Sequence, residues 1–154
     1  MRDLPRKLTS DELAILFEGR TNFTRRLAEH ENPLAVARRL LTEIPEDELI
    51  DALNAHPRIG GRPASIRSAR EQGAEEDSAI LSGLAKLNQT YEDRFGFRFV
   101  VFVNRRRRSE ILRVLQQRLN RTREQELLTA IDDLVSIAED RYRSGALKGN
   151  GGRR

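Results

Sequence analysis

The stretch NAHPRIGG, residues 54 to 61, carries His56, one of two histidines in a chain of 154 residues. An imidazole titrates near neutrality, so a lone histidine can take up and return a proton at cellular pH. Pro57 stops a helix here, because the residue before proline avoids the α region. Gly60 and Gly61 would let the following backbone come close to a ligand. The same pattern also describes an ordinary helix end, whose last carbonyls favour a partly positive histidine. From the residues alone both readings stand.

Three further groups could do chemistry. SAREQ, residues 68 to 72, sets the Glu71 carboxylate beside the Gln72 amide at the start of a short helix. There both could meet a polar ligand together with the free N–H groups of the first turn. Ser68 and Glu71 equally have the spacing of a capping box. Arg141, in SIAEDRYR, could clamp a carboxylate or ureido oxygen through two parallel hydrogen bonds, or be one more charged helix residue. NRRRR, residues 104 to 108, suggests phosphate binding. It comes without an aromatic platform or glycine loop, and reads more simply as a solvated helix start.

Composition removes several classes of function. There is no cysteine, so neither disulfides nor thiolate chemistry is expected. His30 and His56 are too few for a histidine-rich metal site, no HExxH spacing occurs, and no metal is expected. The net charge of +4 arises from 28 basic and 24 acidic residues, mostly interleaved. Without a clear basic face, nucleic acid is not an expected partner. FVVFV, residues 99 to 103, is far short of the roughly 20 apolar residues that span a bilayer. MRDLPRKLTS lacks the apolar core of a secretory signal. A soluble, cytoplasmic protein without membrane association is the expectation.

These groups must be held by helices. Thr9 and Glu12 have capping-box spacing ahead of an apolar stretch that Gly19 should stop. A second helix is expected over about 22–31. A third should open with Asn32 as N-cap and Pro33 at its first position. A fourth should start at Pro45, with Leu49, Ile50 and Leu53 on one face, and end at Pro57, which leaves His56 at or just beyond its last turn. SAREQGA reads as one or two helical turns. Asp77 can cap a long helix carrying Ile80, Leu84, Leu87 and Tyr91, with Gly96 as its left-handed cap. FRFVVFV is β-branched and aromatic but has no second strand to pair with, so it reads as a buried extended connector. Ser109 and Thr122 should cap two last amphipathic helices. The fold class expected is all-α: a single-domain bundle of about seven helices over residues 1–145, with one short buried extended segment. Residues 146–154 read as a disordered tail.

The order AHPRIG, SAREQGA, LNQTYEDRFGFRFVVFV and SIAEDRY resembles the 2-oxo-4-hydroxy-4-carboxy-5-ureidoimidazoline (OHCU) decarboxylase family, over roughly residues 10 to 143. The resemblance implies an all-helical, cofactor-free enzyme, usually a homodimer, acting on a small-molecule substrate at the last step from urate to (S)-allantoin. It implies His56 and Glu71 as the catalytic pair. Pro57, Ser68, Ala69, Arg70 and Gln72 would lie against substrate, with the backbone of Phe99, Val100, Val101, Phe102 and Val103 lining the pocket. Arg141 matches an arginine near the C-terminus that binds substrate. Two positions depart from the family's common pattern: Arg58 stands where HPDLAG has an acid, and Arg98 where FGFPFV has proline. Two other readings remain: a member of the same family acting on another ureido or imidazoline compound, and a non-catalytic helical adaptor or RNA-binding protein that uses NRRRR.

Overall fold

The computed structural model describes residues 7–59 and 78–147, and the regular elements among them are seven helices. They are α1 (Ser10–Leu16), α2 (Asn22–Leu27), α3 (Pro33–Glu43), α4 (Glu46–Asn54), α5 (Ser78–Phe95), α6 (Arg108–Arg118) and α7 (Arg123–Arg143). None is long and apolar enough to cross a membrane. Reciprocal capping starts several of them. Thr9 Oγ1 accepts from the Glu12 N–H at 3.1 Å, while Glu12 Oε1 accepts from the Thr9 N–H at 3.0 Å. Thr21 with Thr24 opens α2 in the same way, and Thr122 with Gln125 opens α7. The expected turns of SAREQGA, the Asp77 cap and most of the expected tail lie outside the described residues.

Four local expectations need correction or refinement. Helix α1 ends at Leu16 with Phe17 as its C-cap, before Gly19, and Glu18 takes a left-handed conformation with φ of 66°. Gly19 instead packs tightly: a Cβ there would sit 3.2 Å from that of Ala55. Helix α2 stops at Leu27 rather than near residue 31, and tight i→i+3 turns follow, His30 N–H donating to the Leu27 carbonyl at 3.0 Å. Asn32 is the N-cap of α3 and Pro33 its first residue, as expected, but the Asn32 side chain makes no capping bond. Ser109 lies inside α6, whose N-cap is Arg107. Glu110 decides that start by accepting from the Arg107 N–H at 2.8 Å. Three residues after Ser109 stands Leu112, which cannot return such a bond.

The described residues gather into two units. One comprises the chain through Ala55 together with the stretch from Ile131 onward, and the other runs from His56 to Ala130. Helix α7 starts in the second and continues into the first.

In the first unit α2 packs on α1, α3 and α4. Leu13, Leu16, Phe23, Leu27, Ala37 and Leu53 are wholly buried, and Phe17 meets Phe23 edge to face at 5.0 Å. Arg141 belongs to this core. Its guanidinium pairs with Glu18 at 2.7 Å and donates to the carbonyls of Ile15 and Leu16, the last of α1. A helix C-terminus leaves its final carbonyls without intrahelical partners, and this arginine supplies them. The same ion pair holds Glu18 in its left-handed conformation.

The second unit is built on α5, α6, the first turns of α7 and the connector 97–103. Tyr91, Phe95, Phe97 and Phe99 form its aromatic centre, with ring centroids 4.6 to 5.8 Å from Tyr91. Beneath them lies Glu126, wholly buried. Its Oε1 accepts from Tyr91 Oη at 2.5 Å and Arg118 Nε at 2.7 Å, and its Oε2 from Arg121 Nη1 at 2.9 Å. A buried carboxylate is tolerable only when charge and hydrogen bonds both compensate for lost water, and here two guanidiniums and a phenol do so.

Replacing Glu126 with leucine should therefore cost about 3–5 kcal/mol, because it leaves the Arg118 cation buried beside an apolar side chain. Urea unfolding measures this; a loss as small as that of an exposed ion pair would show the network to be dispensable. Burial, and then the bond to Glu126, push the Tyr91 phenol well above its ordinary value. The folded state thus holds this proton more tightly, so the stability it contributes is complete below about pH 10 and is lost as pH rises further. In a Tyr142→Phe background, tyrosinate absorbance should stay absent through about pH 10 while the helical signal persists. Its appearance in the native protein would contradict the packing around Tyr91.

Candidate active site around His56

Leu49, Ala52 and Leu53 give α4 its buried face, and Pro57 prevents the helix from continuing. Ala55 is the C-cap, so His56 emerges at the first position where the chain is free to turn. Its side chain is nonetheless buried, with the residue 6% exposed, and Ile59 is buried three positions later. A histidine at a helix end often snorkels outward; this one is held inside.

Three side chains hold the loop 56–59 from the same unit. Asn88 Nδ2, from the buried face of α5, donates to the Ile59 carbonyl at 2.9 Å. One turn further along α5, Glu92 accepts a two-pronged pair from Arg58, with Nε to Oε2 at 2.6 Å and Nη2 to Oε1 at 2.9 Å. The bonds to Glu92 raise the Arg58 pKa above its ordinary value. Arg98 Nη1, from the connector, donates to the His56 carbonyl at 3.0 Å. That carbonyl lies one residue past the C-cap of α4, beyond the reach of the helix's own N–H groups.

The connector confirms the extended, buried expectation. Phe97, Phe99, Val100, Val101 and Val103 are buried, while Arg98 and Phe102 are half-buried. Among the described residues this segment has no neighbouring strand, so its backbone polar groups must be met elsewhere. Arginines take its carbonyls. Arg118 Nη1 donates to Val100 at 3.0 Å, Arg106 Nη2 to Phe102 at 2.6 Å, and Arg106 Nε to Val103 at 3.1 Å. Arg123 Nε does the same for Phe95, just upstream, at 2.9 Å. NRRRR is therefore not simply a solvated helix start. Asn104 and Arg105 make a left-handed turn, with φ of 50° and 67°, that brings Arg106 back onto the connector.

The candidate residues divide accordingly. His56, Pro57 and Phe99 to Val103 lie in the second unit, joined through Arg98. Ser68, Ala69, Arg70, Glu71 and Gln72 lie outside the described residues. Arg141 lies in the first unit, engaged with Glu18 and α1. Among the described residues no cluster of His, Asp or Glu is arranged to hold a metal. Asn88 and Glu92 were not singled out in the sequence. Asn88 had left a signal: it interrupts the apolar stripe Leu84, Tyr91, Phe95 of α5 at a position facing inward. Glu92 had none, since its partner is 34 residues away.

Asn88→Leu keeps the volume and removes the donor to Ile59. It should cost about 1–3 kcal/mol, the penalty for an unsatisfied buried carbonyl. Amide exchange at His56, Arg58 and Ile59 should accelerate more than in α6. Uniform acceleration throughout the chain would mean that Asn88 supports the fold generally and not this loop.

Comparison with known proteins places these features. A sequence profile of the family described as OHCU decarboxylase matches residues 3–143. The chain is 32% identical over 110 residues to a 2-oxo-4-hydroxy-4-carboxy-5-ureidoimidazoline decarboxylase of Haloferax volcanii, covering 66% of this chain and 64% of that protein. It is 33% identical over 100 residues to a uric acid degradation bifunctional protein of Arabidopsis thaliana, covering 58% of this chain and 31% of that protein. The matched stretch thus spans less than two thirds of these relatives. A crystal structure of OHCU decarboxylase determined in the presence of (S)-allantoin shares the fold, with a TM-score of 0.73 at 23% identity, covering 90% of this chain and 98% of that one. A structure of (S)-allantoin synthase aligns with a TM-score of 0.66 at 22% identity, over 88% of this chain and 48% of that one. With a profile match over nearly its whole length, the chain belongs to the OHCU decarboxylase family.

Proposed function

We propose that this protein is a cofactor-independent carboxy-lyase that converts 2-oxo-4-hydroxy-4-carboxy-5-ureidoimidazoline to (S)-allantoin and CO₂ in urate degradation. The observation that carries the reading is the buried His56, on a helix-end loop fastened by three side chains, in a chain of this family. The substrate supplies its own electron sink. Its carboxylate leaves a carbon that bears a hydroxyl and adjoins a ring carbon–nitrogen double bond, and the electrons of the breaking bond flow into that double bond. The protein has to orient the carboxylate, manage the hydroxyl proton, and return a proton to one face of the ene-type intermediate.

His56 and Glu71 share that proton handling. Pro57 fixes the turn behind the imidazole. Ser68, Ala69, Arg70 and Gln72 hold the ring and ureido group, together with the backbone of Phe99 to Val103. The carbonyls of Val100, Phe102 and Val103 are already taken by arginines. Arg141 meets an anionic oxygen while sharing its guanidinium with Glu18. A homodimer and a cytoplasmic location belong to the same reading.

The test supplies freshly oxidised urate and hydroxyisourate hydrolase, and follows (S)-allantoin by circular dichroism. The wild type should give a single enantiomer, where the spontaneous reaction gives a racemate. His56→Ala should lower turnover roughly 10²- to 10⁴-fold, the usual range for a general acid or base. Glu71→Gln should show a comparable defect, with melting temperatures measured alongside to establish that both variants are folded at the assay temperature. Retention of wild-type turnover by His56→Ala would reduce this histidine to a helix terminus. A folded wild type inactive on this substrate would favour a different ureido or imidazoline compound.

A further inference from the structure

We infer that Arg98 is a positioning residue for His56, with the Arg58–Glu92 pair as its second anchor. This rests on the reading that His56 handles protons. The direction of an imidazole depends on the backbone that carries it. Upstream, His56 is fixed by α4, which ends at Asn54 with Ala55 as its C-cap. Downstream, Pro57 holds its own φ near one value but has no N–H with which to tie the turn to anything. The remaining freedom is the ψ rotation of His56, which swings the His56–Pro57 peptide plane. Arg98 Nη1 grips the carbonyl of that plane at 3.0 Å. With both ends fixed, the Cα–Cβ bond of His56 has one direction.

The source of the guanidinium matters. Arg98 stands two residues beyond Gly96 on the connector, whose backbone is itself fastened by Arg118 and Arg106. Its hydrogen bond therefore ties the histidine to the frame proposed to carry the substrate. Arg58 adds the second point, two residues beyond His56, through its fork to Glu92 on α5. Both arginines depart from the family's common residues, and both fasten the same four-residue loop, Arg98 from the connector and Arg58 from within the loop to α5. A proline at position 98 has no side chain that could donate to the His56 carbonyl. In this chain a directed bond takes the place of a stiff backbone, and the two departures work together.

The test compares R98Q, R98K and E92Q with wild type, at a temperature where each is folded. Turnover on the urate-derived substrate should fall about 10- to 100-fold in R98Q, the scale of a misplaced group, with KM little changed. R98K keeps a cation and a donor but not the fork geometry, and should recover part of the loss. E92Q should show a smaller decrease. The second readout needs no activity: long-range ¹H–¹⁵N spectra of the imidazoles, simple to assign because the chain has two histidines. The His56 ring signals should shift in R98Q and E92Q while those of His30 stay in place. Should R98Q fail to fold, R98K and E92Q carry the comparison. Folded variants with lower melting temperature but wild-type turnover and unmoved His56 signals would overturn the proposal and leave Arg98 a structural residue. A wild type inactive on this substrate would fault the function instead, and the ring spectra alone would then decide whether Arg98 orients His56.

Discussion

A stretch of buried, extended backbone with no second strand beside it among the described residues sets the terms for the second unit. Residues 97–103 are too apolar to lie in water, yet each peptide group in them is polar and must be satisfied where water is absent. A sheet would solve this with a ladder. This chain solves it with arginine side chains, which bring several N–H donors on a planar, always-charged head. Arg118, Arg106 and, just upstream, Arg123 reach carbonyls between Phe95 and Val103. The guanidinium of Arg118 also lies 4.7 Å over the Phe99 ring, so one side chain serves the backbone, the aromatic centre and the charge of Glu126.

That solution has a consequence of its own. An arginine drawn into the interior brings a charge that needs a partner, and Glu126 is that partner. The carboxylate has two oxygens, and three donors converge on them. Tyr91, one turn after Asn88 in α5, contributes the hydroxyl. The polar network and the aromatic cluster are therefore one construction: the rings exclude water, and excluding water strengthens every charged contact beneath them. Arg141 shows the same logic in the first unit, where a buried guanidinium, paired with Glu18, closes the end of α1.

The loop bearing His56 inherits its order from these parts. Asn88 and Glu92 project from the helix that also carries Tyr91, and Arg98 from the connector that Arg118 and Arg106 fasten. Histidine chemistry of the kind proposed depends on placement within fractions of an ångström, and loops seldom provide that unaided. Here side chains from a helix and a braced segment supply it, and the loop itself needs only a proline to make its turn.

The local chemistry of the chain was largely legible in its sequence. Reciprocal Thr–Glu and Thr–Gln spacings, Pro33, Gly96 and the apolar periodicity mark helix starts, a helix end and buried faces, because each acts within one or two turns of backbone. The extended character of residues 97–103 was legible for the same reason, and the position of His56 followed from Pro57. Where local rules competed, the sequence misled. Glycine at 19 looked like the residue that stops α1, but the helix ends before it, Glu18 takes the left-handed turn, and Gly19 packs closely against Ala55. Ser109 looked like a cap until Glu110 chose Arg107. What the tertiary structure alone decided was the partner of each charge. Nothing near Arg58 in the chain points to Glu92, nothing near Arg98 to the carbonyl of His56, and nothing in NRRRR shows that its second arginine turns inward. A sequence states which residues carry charge, but burial decides which charges must be met, and only the folded chain brings together the residues that meet them.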